Sequence, residues 1–136
     1  MTVCYSLEDE VNKMITAFII GLLAVAAIAV VTIAVISAKW VIGKVKERLA
    51  ANKRHKVVFA DMRETVDTFT KEQKEKNTEY SMADLEKLCQ DAPYVFADYD
   101  IETGEILNYT GVRSDEVEAE VKSKLKERGG IVVFDR

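Results

Sequence analysis

Four carboxylates crowd one short stretch of the chain: Asp98, Asp100, Glu102 and Glu105 surround Gly104. Oxygen ligands at such density are what a hard cation requires, and calcium takes about six to eight of them. The spacing departs from a helix–loop–helix calcium loop, because the glycine falls one place late and Tyr109 stands where a bidentate Glu should close the loop. A polar turn between two strands accounts for the same residues, and no metal is expected there. His55 is the single histidine and lies between Arg54 and Lys56. A solvated basic stretch is its expected setting, not a ligand set or a general base. Cys89 falls on the apolar face of an expected helix, where a thiol is buried and inert. Cys4 is far from it, and neither has a CxxC or zinc spacing. No glycine loop that could cradle phosphate is present, and no histidine is placed to activate a serine or cysteine. The sequence therefore assigns no catalytic residue, no cofactor and no metal, and predicts a chain that is not an enzyme.

The strongest pattern is hydrophobic. The run from Met14 to Ala38 has no charged residue, and Thr16, Thr32 and Ser37 are its only polar members. A helix of about 20 apolar residues crosses a bilayer, and a lone segment there must satisfy its backbone internally, which selects helix. A secretory leader would need positive charge ahead of the run and a shorter apolar stretch; here Glu8, Asp9 and Glu10 precede it. The pattern predicts a single transmembrane helix over residues 14–38. Seven Lys and Arg residues lie between Lys39 and Lys56 against one acidic residue, Glu47, whereas Lys13 is alone on the other side. Positive charge gathers on the inner face. Residues 1–13 are thus expected to be an extracytoplasmic tail, residues 39–56 a basic juxtamembrane segment, and residues 57–136 a small acidic cytoplasmic domain.

Lys39, Trp40, Lys44, Lys46 and Arg48 are the expected membrane-interface residues, the cations meeting anionic lipid headgroups. Nucleic acid is not expected as a partner, because the basic block abuts the apolar run and precedes an acidic domain. Ala17, Gly21 and Ala24 share one helical face, where small residues permit close helix packing.

Beyond the collar, Val58, Phe59, Met62, Val66 and Phe69 recur at helical intervals, which predicts a helix over 57–76. Ser81 is placed as the N-cap of a second helix that ends before Pro93. YVFADYD and EILNY flank a turn at Gly104 and predict a hairpin over Tyr94–Tyr109. Ser114 is expected to cap a helix running to Gly129, with acidic residues at its start and basic ones at its end. Ile131 to Phe134 is expected to be a strand parallel to its predecessor. The expected fold is one transmembrane helix plus a small α+β domain of α-α-β-β-α-β order, with a three-stranded sheet and helices on one face.

The functional expectation is a membrane-anchored protein-interaction module. Its partner surface is the hairpin aromatics, Tyr94, Phe96, Tyr99 and Tyr109, or the edge of the terminal strand; the competing use of those aromatics is the domain's own core. The other readings are a subunit of a larger membrane complex held through the spanning helix, with self-association through its small-residue face, and a ligand or ion sensor built on the acidic turn.

Overall fold

A computed structural model describes residues 2–3, 8–25, 28–52, 54–76 and 82–135. The apolar run does not form one helix. Helix α1 spans Glu8–Ala24 and strand β2 spans Ala29–Ile36; the two-residue strand β1, Thr2–Val3, precedes both. The reason lies in composition. Six of the eight residues of AVVTIAVI are β-branched, and such side chains are stiff at χ1 and fit a pleated surface. The earlier segment, ITAFIIGLLA, is richer in Leu and Gly and has only four β-branched residues in ten. Glu8, Asp9, Glu10 and Lys13 occupy the start of α1, so its uncharged part begins only at Met14 and covers roughly 16 Å of rise. Among the described residues no helix is long and apolar enough to cross a membrane. The expected spanning helix, and the N-outside, C-cytoplasmic placement derived from it, are therefore not supported.

The remaining elements follow in order: α2 (Ala38–Ala51), β3 (His55–Asp61), α3 (Met62–Lys76), α4 (Met82–Asp91), β4 (Tyr94–Asp100), β5 (Ile106–Val117), α5 (Ala119–Glu127) and β6 (Ile131–Asp135). The sheet has the order β1-β6-β3-β4-β5-β2. Its five longer strands replace the expected three. β3 pairs antiparallel with both β4 and β6, and β4 antiparallel with β5, whereas β2 pairs parallel with β5. The expected parallel placement of the last strand fails. β6 lies beyond β3, not beside β5, and pairs antiparallel with β3.

Helices cover both faces, not one. On the first face Ile15, Phe18, Ile19 and Leu22 of α1, Phe69 of α3 and Leu85 of α4 pack with Val58, Ala60, Val95, Ala97, Ile131 and Val133 of the sheet. On the second, Val41, Val45 and Leu49 of α2 and Val121 and Leu125 of α5 pack with Val57, Phe59, Phe96 and Val132. Strands buried on both faces lose the alternation of apolar and polar residues. This explains the misread start of the 57–76 segment: KVVFA is a central strand whose unbroken apolar run has no period to reveal it.

The caps show how elements begin and end. Ser37 Oγ accepts from Trp40 N at 3.1 Å and opens α2. Asp61 Oδ1 accepts from the backbone of Arg63 at 3.1 Å and of Glu64 at 3.4 Å, so it caps α3. The expected Ser81 cap lies outside the described residues, although α4 itself forms and stops before Pro93. Ser114 sits inside β5 and caps nothing; α5 begins later, with Glu118 at its N-cap. Gly130 N donates back to Leu125 O at 2.7 Å, and Gly130 takes φ +101 in contact with the backbone of Thr65. A side chain there would be strained and would also collide with α3.

Candidate interaction site at the sheet edge

Among the described residues, β2 is the last strand of the sheet and is bonded to β5 on one side only. Its register with β5 is even, from Ala29 opposite Thr110 to Ile36 opposite Val117, with no bulge. Along the strand only Ile33 and Ile36 are withdrawn from solvent, while Val30, Val31 and Val35 keep 40%, 45% and 44% of their surface exposed. Val30 lines a groove with Leu22, Leu23, Val25 and Ile28, rimmed by Lys87 and Arg113, with a cavity of about 610 Å³. Ile33 packs toward the opposite face, against the α2 and α5 cluster. Alternation places Val31 and Val35 on that same face.

An outer strand presents a row of backbone donors and acceptors that pair readily with another chain. Proteins usually blunt such edges with lysine, proline, bulges or shortness. β2 has none of these: it is eight residues long, regular, and free of charge and proline. The opposite end of the sheet differs, because β1 covers β6 at Phe134 and Asp135.

A polar cluster lies near the turn of the β4–β5 hairpin. Arg48 of α2 donates to Asp98 Oδ1 at 2.9 Å, to the carbonyl of Asn108 at 3.1 Å and to Thr110 Oγ1 at 2.6 Å. Its guanidinium also lies 5.6 Å from the centre of the Phe96 ring. A β-bulge between Phe96 and Asp98 makes this possible, with Asn108 at φ 57 and its amide donating to Asp98 Oδ2 at 2.9 Å. Asn tolerates that left-handed conformation better than most residues. His55 is buried at the same place. Its Nδ1 stands 3.9 Å from Asp98 and its Nε2 3.7 Å from Asp100, and Asn52 contacts Nε2 at 3.3 Å. The expectation of a solvated histidine is thus corrected. Although His55 Nδ1 is buried without a hydrogen-bond partner among the described residues, the contacts of this cluster are structural and tie α2 to the hairpin.

The same holds for the acidic turn. Asp100 Oδ1 accepts from Glu102 N at 2.9 Å and Thr103 N at 3.4 Å. These backbone donors, that of Glu102 above all, hold the Asp100 carboxyl below its usual range. Glu102 pairs with Arg54. Among the described residues no three His, Cys, Asp or Glu side chains converge as a metal set.

The other residues singled out from sequence fall as follows. Lys39 and Lys46 are exposed on α2, Lys44 pairs with Glu47 at 3.4 Å, and Trp40 packs 5.7 Å from Phe96. Arg48, expected among headgroups, is turned onto Asp98 instead. Ala17 and Ala24 are exposed on α1, whereas Gly21 is the one close-packed member of that trio: its missing side chain admits the Tyr109 hydroxyl. Tyr109 in turn donates to the carbonyl of Phe18 at 3.2 Å. Tyr94 and Phe96 are buried, and Tyr99 and Tyr109 are half-buried against the first-face cluster. Burial pushes the Tyr94 and Tyr109 phenols up to about 12, and raises the Cys89 thiol as well. Cys4 lies outside the described residues.

The β2 edge was missed in the sequence because length and absence of charge dominated the reading. The signal was present but weak: six of the eight residues Ala29–Ile36 are β-branched, against four of the ten in ITAFIIGLLA.

No protein-family model matches this chain, and no curated protein or solved structure matches it either.

Proposed function

We propose that the chain is a non-enzymatic protein-interaction module that binds its partner by strand addition at β2. The observation that carries this reading is an eight-residue edge with no charge, proline or bulge to block pairing. Strand addition uses main-chain hydrogen bonds for affinity and alternate side chains for selectivity. Val30 on one face, with Val31 and Val35 on the other, supplies the side-chain part. The hairpin aromatics serve the core of the module, so the contact surface moves from them to the edge.

The test is co-purification of the tagged full chain from its native source, in parallel with the double substitution Val31→Lys, Val35→Lys. Lysine on an exposed edge opposes pairing. Loss of the bound protein, including a differently tagged copy of the chain, is the expected result. An unchanged set of bound proteins would refute binding at β2.

A further inference from the structure

We infer that the occupant of the β2 edge is a second copy of this chain, paired antiparallel through β2 across a twofold axis perpendicular to the sheet. The inference rests on the edge-binding reading and adds the partner's identity.

Symmetry sets the first condition. A twofold interface is isologous, so the same patch must complement itself. An axis normal to the sheet keeps each copy's faces on the same side, so opposed residues share parity. Centring the axis at Ile33 sets Val31 opposite Val35 and Thr32 opposite Ala34, and sets Val30 opposite the backbone of Ile36, whose own side chain is already buried against α2 and α5. Every opposed pair is then apolar or a threonine with an alanine. The two exposed valines of the second face, 45% and 44% exposed, cover each other, and β-branched cross-strand pairs of this kind are favourable. No like charges meet, because the strand carries none.

Area sets the second. Eight residues at about 3.3 Å each make a strip roughly 26 Å long. With the helix layer on the Val30 side it is about 20 Å deep. The pairing buries on the order of 500 Å² per copy and about 1,000 Å² in all, the lower bound for a specific interface. The dimer is therefore reversible. One further strand edge is consumed per copy, and the pairing closes on itself without growing into a fibre. Joining two copies here makes one continuous sheet and leaves β1 at either end.

Sedimentation velocity of the pure full chain over a wide concentration range is the test. A monomer–dimer equilibrium is expected, shifted at least tenfold toward monomer by Val31→Lys, Val35→Lys. Should that variant fail to fold, cysteines decide in its place. In a Cys4→Ser background, mixed Val31→Cys and Val35→Cys chains should form a disulfide-linked heterodimer, and each variant alone should not. A wild-type chain that stays monomeric throughout, an open-ended polymer, or an absent mixed cross-link overturns the inference. The two readings separate cleanly. A monomeric chain that still loses another bound protein on lysine substitution removes the second copy and keeps edge binding. A monomer whose bound proteins ignore the substitution removes both.

Discussion

Arg48 is the residue whose sequence reading and structural role differ most. Among six other basic residues it looked like one more contact for headgroups, yet its side chain is only 20% exposed and pairs with an Asp98 that is 12% exposed. Nothing local marks it, since Asp98 lies fifty residues away and Asn108 sixty. Truncating one member of a buried pair strands the other charge, so Arg48→Ala should lower unfolding free energy by about 3 kcal/mol, read from urea denaturation. Arg48→Lys should recover only part of the loss, because an ammonium cannot reproduce the guanidinium fork. The aromatics were more legible, since their expected use as core is where Tyr94 and Phe96 sit. Tyr94 and Tyr109 carry a pH prediction. Their phenols ionise near about 12 when folded, against about 10 in a free chain. Their contribution to stability is thus intact below the free value and declines as pH rises through the window between the two. Phenolate absorbance should show Tyr94 and Tyr109 titrating late, and Tyr109→Phe should remove one late step.

At the scale of elements, α4, the hairpin and the glycine stop of α5 were readable because each has local punctuation: Pro93, Gly104 and Gly129–Gly130. β3 and the second half of β5 were not. β3 is buried on both faces and shows no alternation. In β5 the charged tail RSDEV pairs with β2 but reads as the acidic first turn of a helix. β2 itself was hidden inside a longer apolar run. Its seat depends on Gly111, which lies opposite Val30 and whose added methyl would stand 2.8 Å from the Ala92 side chain and 3.1 Å from Val30. Gly111→Ala should therefore destabilise the fold by about 1–3 kcal/mol through overpacking, visible as a lower thermal midpoint. A variant as stable as the wild type would show that β2 does not sit against β5 as closely as described.

The whole molecule is a mixed sheet between two helix layers, and its topology was the least legible feature. Sequence order does not give strand order when β2, before α2 in the chain, joins the sheet beyond β5. The parallel β2–β5 pair closes contacts across about eighty residues, and such non-local pairings leave no local pattern. That pair also decides whether residues 14–38 are a helix followed by a strand, and so whether an uncharged edge exists at all. Backbone NMR on the full chain tests it most directly. Extended chemical shifts over Ala29–Ile36, with amide contacts linking Ile33 to the neighbourhood of Ser114 in parallel register, are the expected result. Unbroken helical shifts from Met14 to Ala38, without contacts to β5, would contradict it.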